Sequence, residues 1–319
     1  MRSIRLAIAA LLTFCACVAG AQGLGDRPIT LISPFPPGGG TDTITRLAAN
    51  GLASVAGWTT VVENKPGAGG NIAAEFVARS TPNGYTLLAC NTGLAIAPAI
   101  YRDMTFDPVR DLRAVSQMTS MPHVLVTATS FPANNIAELI ALAKSRPGKL
   151  NMGSAGVGNA DHLAGELFNS MARVDIVHVP YKGGAQAMAD TITGTVAIYF
   201  SGLPGAIPMI QAGKVKALGV GMAQRSWALP DVPAIAETLP GFDVNLWYGL
   251  MAPSGTSDAV ADRIAQAVRQ VMRRPDMVET MRKIGADPVA GSPADFQKLF
   301  DGEVVRWKAL VKEANVQID

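Results

Sequence analysis

Cysteine is scarce in this sequence, with three residues of this type among 319. Cys15 and Cys17 lie in an apolar stretch near the N-terminus, and Cys90 lies beyond it. If the apolar stretch is removed, Cys90 has no partner and no intramolecular disulfide can form. The remaining roughly 300 residues must then be stabilised by a hydrophobic core, and a chain of that length commonly forms two domains.

Charged residues are also few, at 16% of the chain, and the formal net charge is +2. No run of five basic residues occurs, whereas nucleic-acid-binding proteins usually carry such basic clusters. We therefore expect no nucleic-acid partner. Beyond residues 6–18, no apolar stretch approaches the length of a membrane span without glycine, proline or charge.

The first 21 residues have the organisation of a secretory signal peptide. A short positive segment (residues 1–5) precedes the apolar run (residues 6–18), and Ala19-Gly20-Ala21 has the small-residue pattern of a cleavage site. We predict cleavage after Ala21, so that Gln22 begins an exported, soluble mature chain. A lipoprotein signal is the alternative, but the small residues usual for it are missing just before Cys15.

The residue patterns of common catalytic and metal sites are missing. The histidines, His123, His162 and His178, do not have the H-E-x-x-H spacing of a metal site, and no G-x-S-x-G occurs. Cys90 is better explained as a small buried thiol than as a nucleophile. We predict no catalytic residue, no metal ligand and no cofactor, with a hydrolase as the weaker alternative.

Short apolar runs alternate with segments of helical periodicity. Residues 29–32 are typical of a strand, and residues 41–56 place Ile44, Ala48 and Leu52 on one helical face. The pattern of strand, loop and helix repeats and forms two blocks. It predicts parallel sheets with helices on both faces.

A mostly helical tail follows the two α/β blocks, which indicates that the chain returns to pack on the first domain. We predict one domain from residues 22–122 and 225–319 and a second from residues 123–224. The crossings lie near Met121-Pro122 and residues 224–230. Neither contains a long Ser/Gly linker, so we expect two short hinges.

The most informative loop, residues 33–42, links a predicted strand to a predicted helix. Its three prolines stiffen it, and its three glycines let the backbone approach a ligand without a Cβ. Thr41 or Asp42 can cap the helix, whose exposed N–H groups and dipole favour an anion. Ligands in open α/β sheets bind at the carboxyl ends of strands. The predicted contacts are Phe35, Gly39, Gly40, Thr41 and Asp42, and a plain Gly/Pro turn is the alternative.

A second stretch of this kind, residues 153–162, lies in the other block. Ser154 and Asn159 can donate hydrogen bonds to a carboxylate, and Gly158 keeps the loop small. His162 lies in the first helical turn, where it either contacts the ligand or packs locally. Two helix starts that can hold an anion, one per block, would form a two-lobed clamp.

Polar residues at other strand ends can line the same cleft. Asn91-Thr92 follow one predicted strand and Ser201-Gly202 follow another. Lys182 is either a counter-ion for the ligand or, more commonly for lysine, a surface residue. Trp247 and Tyr248 are expected in the core or a hinge.

Eight stretches together resemble the substrate-binding receptors of tripartite tricarboxylate transporters, the Bug-type receptors. They occur in the family's order and cover essentially the whole mature chain. They read PFPPGGGTD (34–42), VENKPGAGGN (62–71), PNGYTL (82–87), KSRPGKLN (144–151), HLAGE (162–166), HVPYKG (178–183), LPDVP (229–233) and GLMAP (249–253).

The resemblance implies an α/β fold with two lobes, the Venus-flytrap fold of periplasmic binding proteins, each lobe a sheet flanked by helices. It implies a small carboxylate ligand, held at one carboxylate by loops 35–42 and 154–162, partly through ordered water. Large and small integral membrane transporter subunits would be the partners. We expect a periplasmic monomer that delivers its ligand to them, with a carboxylate sensor as the alternative.

Two positions depart from the family pattern. The family often has an acidic residue where this chain has Ser201, and an acid there would suit a ligand ammonium and repel a second carboxylate. We therefore predict a di- or tricarboxylate without an amine, aromatic diacids included. Asn159-Ala160 also replaces a hydroxyl-rich pair, so the water network would differ.

Overall fold

The computed structural model describes residues 24–101 and 103–313. The predicted signal peptide, its cleavage point after Ala21, and Gln22 lie outside the described residues.

Strands and helices alternate through most of the described chain. In chain order they are β1 (Ile29–Ser33), α1 (Gly40–Ala56), β2 (Thr60–Asn64), α2 (Asn71–Ala78), β3 (Thr86–Asn91), α3 (Gly93–Ile100), α4 (Pro108–Asp111), β4 (Leu112–Ala128), α5 (Ile136–Ser145), β5 (Leu150–Ser154), α6 (Ala160–Ala172), β6 (Ile176–Pro180), α7 (Gly184–Thr193), β7 (Ile198–Gly202), α8 (Leu203–Gln211), β8 (Val215–Val220), β9 (Asn245–Pro253), α9 (Asp258–Met272), α10 (Pro275–Lys283), β10 (Asp287–Pro288) and α11 (Pro293–Glu313).

The strands form two half-sheets that share β4. In the first, β1 pairs in parallel with β2 and β3, and β9 lies antiparallel between β3 and β4. In the second, β5 pairs in parallel with β6 and β7, while β7 and β8 flank β4 in antiparallel pairing. β4 changes partners between Pro122, opposite Asn245, and His123, opposite Gly202. This confirms the predicted α/β fold with two lobes. The prediction of parallel sheets is wrong for β4, β8 and β9, which pair antiparallel to their neighbours.

Helix α1 shows how the apolar pattern positions a loop. Ile44, Ala48 and Leu52 are buried, and the helix ends at Gly57, whose φ of 68° is a left-handed conformation that favours glycine. Because this apolar face packs beside β1, the loop between β1 and α1 lies at the carboxyl end of that strand.

The tail helix α11 covers the first half-sheet. Phe296 and Phe300 pack on Trp247 of β9, with the ring centroids of Trp247 and Phe296 5.2 Å apart. Ser292 Oγ accepts a hydrogen bond from Asp295 N at 3.1 Å and so caps the helix start.

The chain passes back to the first half-sheet at Asn245, where β9 begins. Before that point, Ala234 forms a bridge with Val220, and Phe242 stacks on Phe200 of the second lobe at 6.0 Å between ring centroids. The division of the chain at residues 122/123 and 224/225 stays a prediction.

None of the helices within the described ranges is both long enough and apolar enough to serve as a membrane span.

Candidate functional site

A cavity of about 620 Å³ lies between the two lobes. Its walls come from the loops that follow β1 and β3 in the first lobe and β5, β6 and β7 in the second, with Tyr248 of β9 between them. Eight of the predicted contacts line it: Phe35, Gly39, Gly40, Thr41, Asn91, Asn159, Ser201 and Gly202. The topology explains this grouping, because parallel strands bring the loops after their carboxyl ends to one edge of a sheet. Their contact with a ligand stays a prediction.

The start of α1 presents bare backbone to the cavity. The N-cap is Gly39, with no side-chain hydrogen bond to the helix start, so the expectation that Thr41 or Asp42 caps the helix is wrong. The helix begins one residue earlier than the sequence pattern predicts. Tyr248 lies so close to Gly40 that a Cβ there would be 2.5 Å from the tyrosine hydroxyl oxygen. Because Gly39 has no side chain, nothing at the N-cap position accepts a hydrogen bond from the first N–H groups of α1.

Asp42 does not line the cavity. Its Oδ2 accepts hydrogen bonds from Gly38 N at 3.1 Å and Arg46 Nε at 2.9 Å, and its Oδ1 accepts from Asn64 Nδ2 at 2.8 Å. Burial favours a higher pKa for Asp42, but the bonds from Arg46, Asn64 and Gly38 outweigh it, and the pKa is lowered. Asp42 therefore fixes the loop that carries Gly39 and does not stand in the cavity wall.

The start of α6 differs from that of α1, because its own side chains accept hydrogen bonds from the backbone N–H groups there. Asp161 accepts from Ala155 N at 2.6 Å and from His162 N at 3.0 Å. Asn159 Oδ1 accepts from Ala160 N at 2.8 Å. The sequence predicted that one helix start in each block can hold an anion. For α6 this prediction is wrong, because its N–H groups already donate to side chains of the protein.

Ser154, Gly158 and His162 lie behind the cavity wall. Ser154 Oγ is 2.6 Å from Nε2 of His178, and the His162 and His178 rings stack at 3.7 Å between centroids. His162 Nδ1 accepts from Gly158 N at 3.1 Å, so His162 packs locally. Burial, together with the nearby His162, lowers the pKa of His178 to about 3. These residues support the loop between β5 and α6.

Thr92 is also buried outside the cavity. Its Oγ1 donates to Asn245 O at 3.3 Å and accepts from Trp247 N at 3.1 Å. Thr92 thereby ties the end of β3 to the start of β9, where the chain passes between lobes. Its neighbour Asn91 lines the cavity, and Asn91 Nδ2 donates to Thr41 Oγ1 at 3.3 Å.

Two further helix starts at the cavity lack a side-chain cap. Gly183 is the N-cap of α7 and Gly202 is the N-cap of α8, and neither position has a side-chain hydrogen bond to its helix. Lys182, adjacent to the first of them, lines the cavity. Sequence reasoning singled out Gly202 only as the residue after a strand and missed the anion-binding capacity of both starts. The pair Gly183-Gly184 directly after a strand was the signal that could have found one of them.

Sequence reasoning also missed four titratable residues that line the cavity, namely His123, Asp161, Tyr199 and Tyr248. Burial raises the pKa of Asp161 to about 6, although hydrogen bonds from Ala155 and His162 oppose the shift. Burial lowers the pKa of His123 to about 4. The sequence could have indicated Asp161 as a site residue, because it lies in the first turn of a helix that follows a glycine-rich loop.

The comparisons with known proteins agree with this geometry. A family model described as "Tripartite tricarboxylate transporter family receptor" matches residues 44–316. BugT of Bordetella pertussis is 33% identical over 306 residues, which are 95% of this chain and 94% of BugT.

Two solved structures are similar over nearly their whole length. R. palustris Rpa4515 with adipate has a TM-score of 0.88 and 35% identity, covering 92% of this chain and 98% of that chain. MatC from Rhodopseudomonas palustris with bound malate has a TM-score of 0.86 and 32% identity, covering 90% of this chain and 99% of that chain. Periplasmic binding protein BugD is a further such structure, with a TM-score of 0.87 and 33% identity, covering 92% of this chain and 99% of that chain. The fold is therefore that of the periplasmic binding proteins, and the chain belongs to the receptor family of tripartite tricarboxylate transporters.

Proposed function

We propose that this protein is a periplasmic receptor that closes on a small carboxylate and delivers it to a tripartite membrane transporter. The observation that carries the proposal is the group of three helix starts without a side-chain cap, those of α1, α7 and α8, around one cavity. Helix N-termini favour anions through their N–H groups and dipoles. Lys182 adds a positive charge to the same wall.

The solved relatives support a carboxylate as the ligand class. One of them holds adipate and the other malate, and both compounds are dicarboxylates. The amine-free dicarboxylate predicted from Ser201 stays a prediction. Ser201 lines the cavity and its Oγ donates to Gly202 O at 3.1 Å. Asp161, however, places a carboxylate in the same cavity, where it would repel a second carboxylate of the ligand.

Thermal unfolding of the mature chain against a panel of carboxylates tests the binding step. A ligand that binds only the folded state should add about 2.7 kcal/mol at 100 times its dissociation constant. Lys182→Gln should weaken the response, while Lys214→Gln, which removes an exposed lysine outside the cavity wall, should leave it unchanged. A folded protein that responds to no carboxylate would contradict the proposal. Recovery of the ligand in altered form would favour the hydrolase alternative.

Delivery to a transporter is tested in cells. Uptake of the bound carboxylate should fall when the receptor is removed and return when it is supplied again. If uptake does not change but gene expression stops responding to the carboxylate, the sensor alternative is favoured. N-terminal sequencing of the exported protein checks cleavage after Ala21, and light scattering checks the predicted monomer.

A further inference from the structure

Asp161 is the acidic side chain among the described residues that line the cavity. It is 5% exposed and lies in the first turn of α6. Both of its oxygens accept a backbone N–H, from Ala155 and His162. A carboxylate has about four acceptor sites, so Asp161 can still accept a hydrogen bond from a molecule in the cavity.

Four helices in the described part of the chain begin at the cavity, and Asp161 makes the start of one of them, α6, unfavourable for an anion. At α1, α7 and α8, no side chain occupies the capping position, and each start favours an anion. At α6, the chain supplies its own carboxylate to the N–H groups. The cavity lining therefore combines three helix starts that attract a carboxylate with one acidic side chain that opposes a carboxylate beside it.

The charge of Asp161 is stabilised from behind the wall by two backbone N–H groups and by the nearby His162, and these favour the ionised form against burial. Tyr199 from the second lobe and Tyr248 from the first lie near it, and their pKa values are raised by burial and, next, by the charge of Asp161. A side-chain hydrogen bond to Asp161 also contributes to the raised pKa of Tyr199. His123 also lines the cavity, but burial lowers its pKa to about 4, so it is neutral at periplasmic pH. His162 packs behind the wall, which leaves Lys182 as the cation among the described lining residues.

We propose that Asp161 determines specificity by accepting a hydrogen bond from an ammonium or hydroxyl group of the ligand. This inference rests on the proposed function, narrows it, and replaces the amine-free dicarboxylate predicted from Ser201. The ligand presents one carboxylate to the uncapped helix starts and a hydrogen-bond donor to Asp161. A second carboxylate at that end is disfavoured, because two like charges in a desolvated site repel each other.

Ligands matched in length test the proposal. Succinate, 4-aminobutanoate and 4-hydroxybutanoate form one set, and glutarate with 5-aminopentanoate and adipate with 6-aminohexanoate form two more. At pH 7.5 the best amino or hydroxy member should bind at least tenfold more tightly than the diacid of the same length. The amino and hydroxy members of the first set then show whether the donor is charged or neutral.

Asp161→Asn keeps the size of the side chain and removes its charge. We compare the ratio of the affinity for the diacid to the affinity for the ω-amino ligand of the same length. This ratio should be at least tenfold higher in Asp161→Asn than in wild type. Asp175→Asn, which removes an exposed acid of the same lobe, should keep the wild-type ranking. Tighter binding of the diacid by wild type, with no change in ranking in Asp161→Asn, would overturn the inference and leave the carboxylate receptor standing. Binding of no carboxylate would overturn both.

The pH dependence of wild type gives a second measurement that does not depend on the folding of a variant. The pKa of Asp161, about 6, lies above its ordinary value. Asp161 is therefore ionised at pH 7.5 and becomes protonated as the pH falls through 6. The affinity for the ω-amino ligand should fall several-fold between pH 7.5 and pH 5.5, a range in which that ligand keeps its charges. A constant affinity over this range would contradict the role of Asp161.

Discussion

Two aspartates in the first turns of helices illustrate how one residue type performs different tasks at the residue scale. Asp42 accepts three hydrogen bonds from its own lobe and lies behind the cavity wall. Asp161 accepts two from the backbone and stands in the wall. The sequence predicted the first as a ligand contact and did not single out the second. Only the direction of each side chain separates them, and a helical pattern does not specify that direction.

Asp42→Asn should destabilise the protein by about 1–3 kcal/mol, because the charge beside Arg46 is lost and one of the two buried acceptor oxygens becomes an NH2 donor. Urea denaturation measures the change. Arg46→Gln is the matched control and should cost less than about 1 kcal/mol, since the Arg46 side chain is 47% exposed. An equal loss in both variants would show that the ion pair, and not the link to Gly38 and Asn64, holds the loop.

Asp42 should also make the stability of the protein depend on pH. The pKa of Asp42 in the folded protein is lowered, so its contribution is complete above its unfolded pKa of 3.8 and is lost as the pH falls through the lower folded value. Wild type should therefore lose more stability than Asp42→Asn below about pH 4. Parallel acid-side stability curves for the two proteins would contradict this assignment.

Cys90 provides a probe of local opening at the residue scale. It is fully buried, its Sγ lies 3.4 Å from Gly249 O, and burial raises the pKa of its thiol. In the chain without residues 1–21, Cys90 should react with a thiol reagent only after unfolding, because thiolate is the reactive form. Denaturant is the positive control. Rapid labelling of the native protein would show that β3 and β9 separate locally.

At the element scale, close approach of helices depends on single glycines. A Cβ at Gly51 of α1 would lie 2.2 Å from Val271 Cγ1 of α9. The periodicity of α1 predicted its buried face, with Ile44 and Leu52, but not which helix packs against it. The first part of β4 and the helix α3 escaped prediction for local reasons. β4 contains Pro122, and proline is rare inside a strand because it cannot donate to the ladder. α3 is a short apolar helix with Pro98 inside it.

Gly51→Ala should cost about 1–3 kcal/mol, since the added methyl group forces α1 and α9 apart. Gly302→Ala in α11 is the control, because nothing lies within 4 Å of its Cβ position. That substitution should stabilise the protein by about 0.5–1 kcal/mol through its better helix propensity. Thermal unfolding measures both. Comparable stability of Gly51→Ala and wild type would mean that the two helices can move apart at little cost.

At the scale of the whole molecule, the lobes are joined by a strand that belongs to both. β4 has 17 residues, and its partners change from β9 to β7 and β8 at Pro122–His123. The contacts of Phe242 with Phe168 and Phe200 lead us to propose that the second crossing lies near Asn245 and not at residues 224–230. Phe242 would then belong to the second lobe.

Because β4 is shared, we expect the lobes to unfold together. Tryptophan fluorescence reports mainly on the first lobe, where Trp58, Trp247 and Trp307 are buried. Far-UV circular dichroism reports on both lobes. The urea transitions followed by the two signals should coincide, as expected for a two-state process. A fluorescence transition clearly separate from that of circular dichroism would show that each lobe unfolds by itself.

The sequence by itself determined the alternation of strands and helices, the family and most of the loops at the cavity, because periodicity and glycine-rich strand ends are local signals. It could not show that the N–H groups of α6 are satisfied internally while those of α7 and α8 lack a side-chain cap. That difference depends on side-chain directions and on which loops meet across two lobes. The tertiary structure alone decided that Asp161 lines the cavity. It also decided that four predicted contacts lie behind the cavity wall and hold its loops in place, namely Asp42, Thr92, Ser154 and His162.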